Sequence, residues 1–321
     1  MATKKTFHVG VTLHSFTSEY CSFIWSFEDM MQRAALLGGG VEIVGPAHQR
    51  GFPELSDEFE RVFKSSLERN RLTPTSYGSY ADPFVLPNRD LNDDELVAYT
   101  IPQLNGAAKL GFPVVRLQYF VYPVAERLLP YAEKYKLKMG YELHTPLEIE
   151  APLTQKLIDQ VRRIGPPHLG LIPDAGIFCR SIPAARIEAV RRSGVNEALL
   201  DHAIELWKAK TPLQQAREEL KGMGADDRLF GSMEFFWGSF GHSDPKSIAQ
   251  IMPYIIHTHG KFFSMVNGDE PDVRYEEFVR ALIAGGYTGW MSSEYEGPDT
   301  DSFAIVKAHQ TMVKRYIAKY A

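Results

Sequence analysis

The chain has 321 residues, a formal net charge of -5, 44% hydrophobic and 23% charged residues, the balance of an ordinary globular protein. Nothing in that charge suggests a polyanion partner, and no window of about 18 apolar residues suggests a membrane span. Two cysteines, Cys21 and Cys179, are too few for a disulfide framework. With the polar start at 1–5, which lacks a charged-then-apolar signal pattern, they lead us to expect free thiols and a cytoplasmic location.

In chain order, short apolar runs alternate with longer amphipathic ones, which is the pattern of βα units on a parallel sheet. The first strand is expected at 7–16, a helix at 26–38 stopped by Gly38 to Gly40, and a second strand at 41–45. Ser56 and Asp57 mark a helix start for 57–69. Strand three is 72–79, followed by a helix at 93–110 that Pro102 should kink or divide. Strands at 114–120, 138–144 and 169–174 alternate with helices at 123–135 and 152–164. The rhythm then breaks. Residues 175–240 hold helical stretches at 183–192, 196–208 and 212–221 and an aromatic segment at 230–240, which we read as an insertion after strand six. Helix 245–253, strand 255–263, helix 275–285, strand 289–295 and a last helix at 300–318 complete the series. Eight such units predict one closed (β/α)8 barrel spanning 1–321; a doubly wound sheet would use fewer strands and often a Gly-rich turn after the first, where this chain has Leu13-His14-Ser15-Phe16.

A barrel of this kind builds its site at the C-terminal ends of the strands. Strand five ends in Glu142 and His144, strand six in Asp174, strand seven carries His257 and His259, and strand eight ends in Glu294 with Glu296 beyond. Neighbouring strands lie about 4.8 Å apart, so these side chains can converge. Three clustered carboxylates repel one another unless a cation sits among them. Glu142, Asp174, His259 and Glu294 are therefore the expected ligands of one divalent ion, and an oxygen-rich set with one nitrogen favours Mn2+ or Mg2+. Asp174 also fits a helix cap, and Glu142 and Glu294 fit ordinary ion pairs. His257 shares strand parity with His259, so either could be the ligand and the other a substrate contact. His144, two residues beyond Glu142, should share its face nearer the mouth. His14, Phe16, Tyr80, Gln118 and Trp237, with Phe235 and Phe236, are expected to line the pocket.

The order Glu142, Asp174, His259 with Lys261, and Glu294 resembles the xylose-isomerase-like barrel superfamily of ketose 3-epimerases and sugar isomerases. A narrower resemblance rests on Val11 to Phe16, Glu42 to Pro46 with Arg50 to Pro53, Pro74 to Gly78, and Ile172 to Gly176. These stretches look like the alpha subunit of bacterial C-glycoside deglycosylases. That resemblance implies cleavage of the carbon–carbon bond between an aromatic aglycone and a 3-oxo-glucosyl unit, in complex with a small beta subunit and as a higher oligomer. In that reading His144 is the base at sugar C2, with Glu142 and Glu294 also at the chemistry. The alternative is a ketose 3-epimerase, with Glu142 and Glu294 exchanging protons on opposite faces. An apurinic endonuclease of the same superfamily would need more His and Asp ligands, and a binding-only scaffold would be indifferent to metal removal.

Overall fold

A computed structural model describes residues 6–81, 85–165, 168–298 and 301–321. The polar start at 1–5 and residue 300, where the last helix was expected to begin, lie outside the described residues. Eight parallel strands surround the core: β1 His8–Thr12, β2 Gly40–Val44, β3 Thr73–Gly78, β4 Val114–Leu117, β5 Lys138–Leu143, β6 Leu169–Pro173, β7 Thr258–Phe262 and β8 Trp290–Tyr295. Their order is β6-β5-β4-β3-β2-β1-β8-β7. Two isolated parallel bridges, Leu171 with Ile255 and Asp174 with His259, bring β6 against β7. The result is a nearly closed (β/α)8 barrel with helices between the strands.

Strand parity decides what fills the interior. Gly140 on β5 pairs with Gly170 on β6. A Cβ on Gly170 would lie 2.6 Å from Ile256, and one on Gly140 2.8 Å from the same side chain. The two glycines therefore make room for Ile256 inside the barrel, where a larger residue would displace it. The outer helices follow the expected signals. The helix Asp93–Leu110 starts at a capping box formed by Asn92 and Glu95 and ends at Gly111 in the left-handed region at φ +89°. It runs as one span through Pro102 rather than dividing there.

Other expectations shift at the strand ends. The first strand stops at Thr12, whose hydroxyl accepts from the His14 N–H, and residues Leu13–Phe16 form a 3-10 turn. Beyond β4 the chain turns into a 3-10 segment, Tyr119–Val124, before the helix Ala125–Tyr135. The expected helix at 245–253 is replaced by two 3-10 stretches, Pro245–Gln250 and Met252–Tyr254. Prolines at 245 and 253 lack the N–H that an α-helix would need at the second of them.

The insertion after β6 holds four helices, Ala184–Arg192, Glu197–Lys208, Leu213–Gly222 and Asp227–Ser239. The aromatic segment belongs to the last of these. Phe240, which follows it, is buried and meets Phe263 edge-on at 5.1 Å, just past β7. Its carbonyl also accepts from Trp207 Nε1 at 3.3 Å. Phe240 thus pins the insertion to the barrel. No helix among the described residues is long and apolar enough to cross a membrane.

Phe240→Ala removes the ring at this junction and should destabilise the fold by about 3–5 kcal/mol, read from urea unfolding. An unchanged midpoint would mean that the insertion is held elsewhere.

Candidate active site

Four strand ends deliver four side chains to one point. Glu142 lies on β5, Asp174 immediately after β6, His259 on β7 and Glu294 on β8. Each offers a ligand atom, and these atoms lie within 4.8 Å of one another. His259 Nδ1 is 2.6 Å from Glu142 Oε1 and 3.3 Å from Glu294 Oε2. Asp174 does cap the short turn that follows it: its Oδ1 accepts the Gly176 N–H at 2.6 Å. That bond fixes the carboxylate and leaves Oδ2 for the cluster. Asp174 Oδ2 and Glu294 Oε2 are buried with no hydrogen-bond partner, their nearest cationic nitrogens being Lys261 Nζ at 3.4 Å and His259 Nδ1 at 3.3 Å. Buried carboxylate oxygens in that state are costly, and a hard divalent cation satisfies them. The donor set therefore fits such an ion.

The electrostatics agree. Burial, with Glu294 and Glu142 nearby, pushes the Asp174 carboxyl up to about 6 against the pull of Lys261. Burial also opposes the charge on Glu142, but Arg116 and His259 outweigh it and hold that carboxyl well below the usual range. His259 is likewise penalised by burial, yet Glu42, Glu294 and Glu142 raise its imidazole well above the ordinary value. The cluster is a place where negative charge is crowded and positive charge is welcome.

A cavity of about 220 Å³ reaches the cluster at Glu142 and Glu294. His144 lines it, and its Nδ1 lies 2.7 Å from the Thr145 carbonyl oxygen. A carbonyl only accepts, so Nδ1 carries a hydrogen, and in the neutral ring the lone pair is on Nε2. His14, Tyr80 and Gln118 also line the cavity. Gln118 is oriented by the Ala81 N–H, 3.1 Å from its Oε1.

Five residues expected at the pocket lie elsewhere. Phe16 is fully buried below the mouth, edge-on to Trp25 at 5.5 Å, because the chain has already turned into the 3-10 segment there. His257 is buried in the barrel, 3.1 Å from Glu42 and 2.9 Å from Ser292 Oγ. Trp237 sits in the insertion and donates Nε1–H to the Thr211 carbonyl at 2.8 Å. Its neighbour Phe236 is buried, and Phe235 faces Arg186 rather than the cavity.

Arg116 drew no role from the sequence, and Lys261 only a place in the resemblance. Arg116 on β4 is buried and donates Nη1–H to Glu142 Oε2 at 2.5 Å, with its guanidinium 4.9 Å over the Tyr80 ring. Lys261 lines the cavity 2.9 Å from Glu296 and 3.4 Å from Asp174. His14 Nε2 is 3.6 Å from Glu296 on the same side. The available signal was a charged residue inside an apolar strand: Arg116 within VVRL, and Glu42 within GVEIV.

Arg116→Met would leave Glu142 buried without its cation. In chelator-treated protein this should cost about 3–5 kcal/mol of stability by denaturant unfolding. A change below about 1 kcal/mol would show that the pair is not needed to hold the Glu142 charge.

No family model matches the chain. Among curated proteins it is similar to a 3'-dehydrocarminate deglycosidase alpha subunit from Microbacterium sp., 37% identical over 96% of this chain and 94% of that protein. C-glycoside deglycosidase alpha subunits resemble it as well. One from Microbacterium trichothecenolyticum is 34% identical over 90% of this chain and 83% of that protein, and one from Arthrobacter globiformis is 33% identical over 94% and 89%. Among solved structures, an L-ribulose 3-epimerase superposes with a TM-score of 0.58 at 11% identity, covering 98% of this chain and 96% of that one. A D-allulose 3-epimerase from Methylomonas sp. gives 0.57 at 13%, covering 98% and 100%. At such identities the structures share the fold alone.

Proposed function

The chain belongs to the family of C-glycoside deglycosidase alpha subunits, and from that premise we propose that it cleaves the carbon–carbon bond of 3-oxo-C-glucosides. The observation that carries this reading is the imidazole of His144, on the cavity wall beside the acidic cluster with its lone pair on Nε2. Glu142, Asp174, His259 and Glu294 would hold a divalent cation, with Mn2+ or Mg2+ suited to their oxygens. Such an ion polarises a sugar carbonyl and stabilises negative charge that develops on it.

The chain's own groups account for the proton and for orientation. A 3-oxo group acidifies the proton at sugar C2. His144 takes that proton on Nε2 as general base. The C1–C2 double bond forms, the bond from C1 to the aglycone breaks, and its electron pair leaves with the aglycone, which takes up a proton. The products are a 3-oxo glycal and the free aglycone. Tyr80 and Phe120 give the cavity aromatic wall for a flat leaving group, while Lys261, His14 and Gln118 offer polar contacts to sugar hydroxyls.

The ketose 3-epimerase alternative draws on the epimerase folds above. It needs two carboxylates that trade protons from opposite faces. Glu142 is poorly suited to that exchange, because the Arg116 guanidinium and His259 hold it ionised. His144 supplies a single base instead, as an elimination requires.

The relatives are called alpha subunits, which supports assembly with a beta subunit. Cys21 and Cys179 are free thiols, consistent with a reducing cytoplasm.

His144→Ala should retain Mn2+ and lose aglycone release by about 10²–10⁴-fold, the usual worth of a general base. Glu142→Ala should lose Mn2+ and turnover together, read by elemental analysis and chromatography on one sample. Turnover surviving in the first variant would place the base elsewhere, and metal surviving in the second would remove Glu142 from the ligand set.

A further inference from the structure

Beneath the mouth lies a second polar layer that the proposed reaction does not use. Glu42 sits in the middle of β2 at 1% exposure, between the fully buried Val41 and Ile43. β1 and β8 separate β2 from β7 in the sheet, so the carboxylate has to cross the barrel interior to reach the β7 side. There it meets two imidazoles. His259 Nε2 is 3.0 and 3.2 Å from the two Glu42 oxygens, and His257 Nε2 is 3.1 Å from the second of them. Ser292 Oγ on β8 is a further 2.9 Å contact of His257 Nε2. A carboxylate this deep costs several kcal/mol unless it is paired, and among the described residues its ion-pair partners are these two histidines.

The arrangement sets the direction of the His259 ring. An ionised carboxylate only accepts, so Nε2 of His259 must carry a hydrogen toward Glu42. By the same rule Nδ1 carries a hydrogen toward Glu142 Oε1 at 2.6 Å, with Glu294 at 3.3 Å, and a cation at the site would take the place of that proton. The three side chains Glu42, His257 and His259 are close enough to bind a cation of their own, but the two Nε2 atoms and the Glu42 carboxylate are already paired with one another.

We propose that Glu42 is the positioning residue of His259: it holds the imidazole with Nε2–H on the barrel floor and Nδ1 aimed at the cation site, while His257, itself in contact with Ser292, holds Glu42. The inference rests on the cation site described under the proposed function. A carboxylate on the far nitrogen of a ligating histidine fixes the tautomer and makes the ring a better donor, and removing such a partner typically costs about 10–100-fold in metal affinity.

The test is Mn2+ binding to chelator-stripped protein, by competition with a fluorescent chelator, in wild type and Glu42→Gln. The amide keeps the shape and one acceptor but removes the charge. The variant should bind Mn2+ about 10–100-fold more weakly, with an unchanged circular dichroism spectrum and cooperative unfolding. A second measurement needs no variant: in the wild-type protein loaded with Mg2+, the His259 15N shifts should show a protonated Nε2 and an unprotonated Nδ1. Equal Mn2+ affinity in the two proteins, or the opposite ring assignment, would overturn this inference alone. A wild type that takes up no divalent ion would overturn the cation site, and this inference with it.

Discussion

Crowded negative charge inside a low-dielectric barrel is the constraint on which the rest of the site depends. Glu42, Glu142, Asp174, Glu294 and Glu296 converge on the mouth and floor, against two permanent cations, Arg116 and Lys261. Five carboxylates would strain such a space even with these partners. The compensation is distributed. Arg116 fixes Glu142, Lys261 bridges Asp174 and Glu296, and His259 stands between Glu42 below and Glu142 above. Two oxygens, on Asp174 and Glu294, still lack hydrogen bonds, and they face the same point. A divalent ion there would offset most of the remaining charge.

The fold serves this cluster. Parallel strands bring residues far apart in sequence to one rim, and alternate strand positions point inward. The glycine pair Gly140 and Gly170 lets Ile256 fill the lower barrel, so that the polar layer stands on an apolar one. Around the rim, short turns stop each strand where its functional residue is needed. Asp174 caps its own turn, and the 3-10 segment after β1 presents His14 to the cavity while tucking Phe16 away.

Much of this was legible in the sequence, because the eight-unit rhythm and the polar residues ending strands five to eight are local signals. Pocket walls were less so. Phe16, His257 and Trp237 have the right residue types, but their direction depends on where a strand ends or which neighbour a ring finds, and both are tertiary facts. Arg116 and Glu42 escaped for the opposite reason. Each is a single charge within an apolar strand, and its meaning appears only when β4 lies against β5 and β2 faces β7 across the barrel.

The central claim is that the cluster and His144 remove a proton next to a sugar carbonyl and so expel an aglycone. It is tested most directly by incubating the Mn2+-loaded chain with 3-oxo-C-glucosides and with free ketohexoses, with and without the small beta subunit. The account predicts release of aglycone and a 3-oxo glycal from the glucosides when both subunits are present, and no interconversion of ketohexoses. Ketohexose epimerisation by this chain alone, with the glucosides left intact, would contradict it.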